Sequence, residues 1–131
     1  MTYLGPLFAQ GPRIATDALC DTDERAVAGI LNQCVGEGWA MQVADVARAT
    51  GIPARRCQSI VRHLIVDHGA PIGTSMRAPF GWYLAETPAE MDRVVELHRS
   101  RALSELTTMA RLRGTCLRGI LSQIQTELEV A

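Results

Sequence analysis

The sequence contains no lysine, so all thirteen basic residues are arginine, and fourteen aspartates and glutamates bring the net charge to −1 at pH 7. That balance excludes a protein that binds polyanions indiscriminately through a uniformly positive surface. Arginine alone fits a GC-rich genome as well as selection for guanidinium groups that bind phosphate. Aromatic residues are scarce, at 5%, but 47% of residues are hydrophobic, which excludes a disordered chain. The 131 residues suit one small domain with extensions.

Long apolar runs are also missing. No stretch approaches the roughly 20 apolar residues of a membrane-spanning helix, and the start, MTYLGP, lacks the basic region and apolar core of a signal peptide. We therefore expect a cytoplasmic protein with no membrane partner. The cysteines stand singly, without a C-x-x-C pair or metal-ligand spacing, which predicts free thiols. They are Cys20, Cys34, Cys57 and Cys116.

Catalytic motifs are absent as well: the sequence has no nucleophile motif, no phosphate-binding loop and no H-E-x-x-H helix. The nearest approach to a metal site is Cys57 with His63, Asp67 and His68. Histidines five positions apart on a helix are expected on different faces, which argues against shared ligation. We therefore predict no enzyme activity, no cofactor and no metal, and we identify no small-molecule effector.

Positive charge is concentrated in the middle of the chain. Residues 1–39 carry a net charge of −3, residues 40–80 carry +3 and residues 81–131 carry −1. The central excess comes from Arg48, Arg55, Arg56, Arg62 and Arg77. A partner of negative charge is expected to meet this part of the chain.

The N-terminal third is predicted to be an arm followed by a helix. Residues 1–20 hold turn formers without periodicity, which predicts an arm or packed loop. Its apolar side chains are expected to contact the body or a partner: Tyr3, Leu4, Leu7 and Phe8. A helix is predicted to begin at Asp21-Thr22-Asp23-Glu24, where a side-chain acceptor can cap the free amides, and to end near Gly36 and Gly38. Its core face is Val27, Ile30, Leu31 and Cys34.

Two helices and a hairpin are predicted next. A short helix spans residues 42–50 and a longer one residues 54–67, with a break at Gly51-Ile52-Pro53 between them. Residues 70–85 contain two short β segments around a tip with proline and glycine, which predicts a β-hairpin.

Helices are predicted to complete the chain. Thr87-Pro88-Ala89-Glu90 is typical of a helix start, because Thr87 caps, proline suits the first turn and Glu90 reaches back to the capping amide. Helical periodicity then continues to about Arg113. Gly114-Thr115 breaks it, and a final amphipathic helix follows.

The segment 46–64 carries a recognisable pattern, VARATGIPARRCQSIVRHL. Small Ala47 allows two helices to approach, Gly51 permits a turn with positive φ, and Ile52 fills the corner between the helices. Together with the hairpin, this pattern resembles the winged helix-turn-helix superfamily.

The resemblance covers residues 22–90, and the hairpin sequence Gly81-Trp82-Tyr83-Leu84 is further similar to small winged-helix proteins encoded by phages and prophages. It implies a mainly α fold with a small β-hairpin and a long C-terminal helical extension. The expected parts are an arm at 1–20, the winged helix-turn-helix at 21–86 and C-terminal helices at 87–131. Cys57 departs from the pattern, since such proteins commonly bury valine or isoleucine there.

The third helix has a basic outer face. At 100° per residue, Arg55, Ser59 and Arg62 share one side, while the opposite side is Cys57, Ile60, Val61, Leu64 and His68. Arginine pairs with guanine and glutamine with adenine in the major groove of double-stranded DNA, while serine and arginine hold phosphates. In the resembled family the hairpin reaches the DNA backbone or minor groove. The predicted DNA-binding residues are Arg48, Arg55, Arg56, Gln58, Ser59, Arg62, His63 and Arg77.

The C-terminal helices are predicted to form a homodimer. Their apolar stripes exceed what a small winged body covers, and the alternative is that the last helix folds back within one chain. The predicted dimerisation residues are Met91, Val94, Val95, His98, Ala102, Leu106, Met109, Leu112, Leu117, Ile120, Leu121 and Ile124. The function expected is that of a transcriptional regulator or a replication accessory factor of a phage or mobile element. The rivals are a protein-interaction adaptor without DNA binding and a repressor that responds to a ligand.

Overall fold

The computed structural model describes residues 13–130, and these are mainly helical with one small antiparallel sheet, as the sequence predicts. The elements are α1 (Thr22–Leu31), α2 (Val43–Thr50), α3 (Ala54–His68), β1 (Ile72–Ser75), β2 (Gly81–Leu84), α4 (Pro88–Arg113) and α5 (Leu117–Val130). Short 3-10 helices lie at Thr16–Ala18 and Glu37–Trp39. The chain divides into two compact units, with the boundary between Val94 and Val95.

Residues 13–20, the described part of the expected arm, pack into the main core. Ile14 and Leu19 are buried there. The side chain of Asn32 fixes this segment, because its Oδ1 accepts the Ile14 N–H at 2.6 Å and its Nδ2 donates to the Ile14 carbonyl at 2.9 Å. The apolar arm residues of the sequence prediction, Tyr3, Leu4, Leu7 and Phe8, lie outside the described residues.

Helix α1 begins as predicted and ends early. The Asp21 carboxylate accepts the Glu24 N–H at 3.0 Å, which confirms the predicted side-chain cap in this segment and shows that Asp21 provides it. The predicted end near Gly36 is wrong, because the helix stops at Leu31. Cys34 is buried, but in an extended segment whose carbonyl accepts the Leu84 N–H at 2.8 Å. Pairing with the hairpin therefore replaces the last predicted turn.

The turn between α2 and α3 follows the predicted pattern. Gly51 has a φ of 73°, the left-handed conformation that glycine adopts without strain. Ile52 is buried beside it, and the Cys57 thiol is fully buried, donating to the Ile52 carbonyl at 3.6 Å. Cys57, which departs from the predicted pattern, is thus a small buried side chain on the core side of α3.

Strand β2 of the hairpin has a second backbone partner, Met41, that the sequence did not predict. β1 and β2 pair antiparallel with Ile72 opposite Leu84 and Ser75 opposite Gly81. On the other side of β2, Met41 and Trp82 exchange two backbone hydrogen bonds of 2.9 Å each. Gly81 makes this possible, because a Cβ at that position would lie 2.1 Å from the Met41 carbonyl oxygen. The chain before α2 is therefore joined to the hairpin.

The first turns of α4 belong to the first unit. Thr87 Oγ1 accepts the Glu90 N–H at 3.1 Å and the Glu90 carboxylate accepts the Thr87 N–H at 3.4 Å, which confirms the predicted capping box. Val94 is buried in a second small core with Tyr83 and Ala85.

The second unit, taken by itself, holds the rest of α4 and the whole of α5. The predicted break is present, since Gly114 has a φ of 67° and the Thr115 N–H donates to the Ala110 carbonyl at 2.9 Å. Only Ala110 and Ile120 are buried among its described residues. The large exposed apolar side chains of this unit are Val95, Met109, Leu112, Leu121, Leu128 and Val130. Its helices therefore leave apolar surface uncovered.

Candidate nucleic-acid interface

The outer face of α3 is exposed and carries positive charge. Arg55, Ser59 and Arg62 are exposed, as is Gln58 beside them. Neither arginine forms an ion pair with any residue from 13 to 130. With a rise of 1.5 Å per residue, the two arginines lie about 10.5 Å apart along the helix axis. The opposite face is anchored in the core by Cys57, Ile60, Val61 and Leu64, as predicted.

Arg56 and His63 lie in a different environment from these residues. Arg56 faces two carboxylates at the start of α1, Asp21 at 3.6 Å and Asp23 at 3.7 Å. The ring of His63 lies between Glu24, at 3.4 Å, and Asp67, which is hydrogen-bonded to its Nδ1. Both side chains join α3 to carboxylates of the protein itself, so they contribute less to a surface for a negatively charged partner than the sequence suggested.

The two histidines of α3 were predicted on different faces, and this is wrong. The rings of His63 and His68 meet edge to face with their centroids 5.0 Å apart. Long side chains bend along the helix surface, so positions 140° apart on a helical wheel still come into contact. Within residues 13–130, no three His, Cys, Asp or Glu side chains are grouped so that they hold a metal ion.

Arg48 of α2 is exposed and already has a neighbouring carboxylate. Its Nη2 lies 3.2 Å from Asp45 Oδ1, one turn earlier on the same helix. Exposed pairs of this kind contribute little and exchange partners readily. Arg48 therefore stays available to a phosphate group at small cost.

Arg77 lies in the hairpin loop, as predicted, but it is held by an acidic residue from the 3-10 helix at Glu37–Trp39. Its Nε and Nη2 donate to Glu37 Oε1 at 3.1 and 2.9 Å. Arg93 of α4 approaches the other oxygen of the same carboxylate, with Nη2 3.2 Å from Oε2. The hydrogen bonds from Arg77, reinforced by the charges of both arginines, lower the pKa of Glu37. We call these three residues the Glu37 cluster.

Glu90 holds the backbone at the Glu37 cluster through hydrogen bonds. Its Oε2 accepts the Glu37 N–H and its Oε1 the Glu86 N–H, both at 2.8 Å. Burial raises the pKa of Glu90, but the hydrogen bonds from backbone N–H groups and the charge of Arg93 outweigh it, so the pKa is lowered. The cluster and Glu90 line a cleft of about 310 Å³ together with Gly38 and Ala78.

The residues predicted for dimerisation fall into two groups. Val94 and the half-buried Met91 pack against the second core of the first unit, so they are accounted for within one chain. Ile120 is buried within the second unit. The remaining nine are exposed or half-buried: Val95, His98, Ala102, Leu106, Met109, Leu112, Leu117, Leu121 and Ile124.

Comparisons with protein-family models, with curated proteins and with solved structures found no match to this chain. None of the helices between residues 13 and 130 is long and apolar enough to cross a membrane. What the chain binds must therefore be inferred from its own surface chemistry.

Sequence reasoning missed Glu37, Arg93 and the exposed Trp39. Glu37 and Trp39 belong to Gly36-Glu37-Gly38-Trp39, where the sequence predicts the end of α1. Two glycines in three residues are a turn signal, and this signal would have indicated a separate loop. Nothing local indicates Arg93, because its partner is 56 positions away in the chain.

Proposed function

We propose that this chain binds double-stranded DNA as a winged helix-turn-helix homodimer, with α3 in the major groove and the hairpin on the flanking backbone. It acts as a sequence-specific transcriptional regulator or as a replication accessory factor of a phage or mobile element. The observation that carries the proposal is the exposed face of α3. Two arginines without ion pairs to described residues share this face with a serine and a glutamine, and the opposite face is fixed in the core.

The chemistry of this face suits DNA. Arg55 and Arg62 offer the forked donors that pair with guanine or grip phosphate, and Gln58 offers an amide that pairs with adenine. Their separation of about 10.5 Å spans about three base-pair steps of a duplex at 3.4 Å each. A helix anchored along its whole inner side holds these groups in fixed positions, which suits recognition of base edges.

A second copy supplies the affinity that one face lacks. Few phosphate contacts are available per chain, and each contributes a salt-dependent increment to binding. The exposed apolar side chains of α4 and α5 support an interface between two chains, because burial against a second copy removes their apolar surface from water. Leu128 on α5, 71% exposed, extends the predicted stripe by a further turn.

Charge reversal on α3 tests DNA binding. Arg55→Glu with Arg62→Glu is expected to abolish binding to a random-sequence duplex pool in fluorescence anisotropy at low salt. Arg101→Glu with Arg111→Glu reverses the same number of charges at two exposed arginines of α4 that form no ion pair within residues 13–130. It is the matched control and should bind like the wild type. Failure of the wild type to bind any duplex at low salt contradicts the proposal.

Exposed apolar residues near the hairpin favour a second candidate, an adaptor that binds another protein. Trp39, Met76 and Phe80 are exposed, with Trp39 at 72%. Large aromatic and methionine side chains are enriched in protein interfaces. The two functions are separated by the same variants, because charge reversal at Arg55 and Arg62 removes DNA binding and leaves an adaptor surface on the hairpin side intact.

A further inference from the structure

We propose that Arg77 and Arg93, held side by side by Glu37, form a second phosphate-binding site that takes a backbone phosphate of the DNA duplex. The inference rests on the proposed function, because the phosphate it assigns belongs to bound DNA. It adds Arg93, a residue of α4, to the DNA-binding surface. It also gives Glu37 the role of a positioning residue.

The arrangement has an acidic inner layer and a basic outer layer. The Glu37 side chain is only 15% exposed, whereas those of Arg77 and Arg93 are 75% and 50% exposed. The carboxylate therefore lies behind the two guanidinium groups and fixes them from the inner side. An anion that approaches from solvent meets the guanidinium groups first.

The guanidinium groups of Arg77 and Arg93 keep N–H donors that Glu37 does not use. Each guanidinium has five N–H donors. Arg77 uses its Nε and Nη2 on Glu37, while Arg93 contacts the same carboxylate through Nη2 alone. Arg93 is also a hydrogen-bond partner of the Tyr83 hydroxyl. The remaining donors of the two groups have no side-chain acceptor within residues 13–130. These are the forked donors that phosphate oxygens accept bidentately.

The acidic groups of the cleft are already engaged. Both oxygens of Glu37 face arginines, and both oxygens of Glu90 accept backbone N–H groups. The two arginines and the carboxylates of Glu37 and Glu90 give the cleft a formal charge of zero, because the N–H groups that bind Glu90 stabilise its charge without neutralising it. A phosphodiester therefore binds here through the exposed guanidinium donors and not through an excess of positive charge.

Preorganisation makes this site more effective than two separate surface arginines. A free arginine loses rotamer entropy when it is fixed on a ligand, and side chains already held by a carboxylate lose less. The cleft of about 310 Å³ beside the cluster leaves room for the phosphate and its flanking sugars.

The salt dependence of DNA binding tests the inference. Arg93→Gln removes the site from both chains of the proposed homodimer, so it should reduce the magnitude of the slope of log Kobs against log salt concentration by about 1.8, or about 0.9 for each lost phosphate contact. Arg93→Lys keeps the charge and should keep the wild-type slope. Arg99→Gln is the matched control, because Arg99 is an exposed arginine of the same helix that also faces a carboxylate, Glu96, at 3.5 Å, and its slope should be unchanged. Circular dichroism should show that all variants stay folded.

The outcomes separate the two proposals. If the wild type binds DNA and Arg93→Gln has the same slope as Arg99→Gln, the second site is refuted and the proposed function stands. If the wild type does not bind DNA, the proposed function itself fails. Inorganic phosphate at matched ionic strength distinguishes the source of the phosphate group: it should not shift the arginine Nε NMR signals at submillimolar concentration, and a saturable shift there would identify free phosphate as the ligand and overturn the assignment to DNA.

Discussion

Replacing Gly81 with alanine tests the contact between the hairpin and the chain before α2. The backbone of Gly81 has a φ of 120°, and an added Cβ would lie 2.1 Å from the Met41 carbonyl oxygen and 2.6 Å from the Gln42 nitrogen. Backbone atoms cannot move aside as a flexible side chain can. The substitution should therefore separate the two segments.

The expected loss follows from the interactions at this position. A non-glycine residue in a strained backbone conformation costs about 1–3 kcal/mol. Separation also removes the two hydrogen bonds between Met41 and Trp82, at about 0.5–1.5 kcal/mol each. The sum is about 2–6 kcal/mol, a large part of the roughly 5–15 kcal/mol that stabilises a typical domain.

Urea denaturation followed by circular dichroism measures this loss, and two glycines serve as controls. In Gly51→Ala the added Cβ meets open space, and the backbone has a φ of 73°. The free energy of unfolding should therefore fall by only about 1–2 kcal/mol, the cost of a left-handed conformation. Gly38→Ala meets open space at an ordinary φ and should change stability by less than about 0.5 kcal/mol. If Gly81→Ala is no more destabilising than Gly51→Ala, the close approach at Met41 does not exist, and the pairing of Met41 with β2 is refuted.

Three further measurements check other features. A thiol reagent should titrate two groups in the folded protein, the exposed Cys20 and Cys116, and all four cysteines only after denaturation; early reaction of the other two would contradict their burial. Because Arg77 holds the pKa of Glu37 below its ordinary value, the stability that this carboxylate provides is present above the unfolded-state pKa and is lost as pH falls through the folded one. Between pH 6 and pH 3 the wild type should therefore lose more thermal stability than Glu37→Gln, and equal losses would refute this role. Acrylamide should quench the emission of exposed Trp39 and spare buried Trp82, so that Trp39→Phe removes the quenchable fraction.

The sequence predicted those features of the fold that depend on residues close together in the chain. The Asp21 cap, the capping box at Thr87 and the Gly51 turn each depend on residues within about four positions, and all three are present. The bounds of α3 and α4 follow from apolar periodicity and from the breaks that flank it.

Long-range contacts account for the predictions that failed. α1 ends early because Cys34 and Met41 find partners on β2, about 40 to 50 positions away in the chain. The Glu37 cluster joins three segments that no periodicity connects. Helical angles placed Arg56 outside the core correctly, but they carried no information about the α1 carboxylates beside it.

The ion pairs between arginines and the protein's own carboxylates have a consequence for the proposed DNA binding. The carboxylates that face Arg48, Arg56 and Arg77 reduce the net positive charge that these arginines present to a duplex, even where their remaining donors can still bind a phosphate. Of the five central arginines, only Arg55 and Arg62 have no ion pair in residues 13–130. Attraction to random duplex grows with each phosphate that is neutralised. Under the proposed function, such a chain binds unrelated duplex weakly, so fewer copies are held at the many competing sites and more reach the intended one.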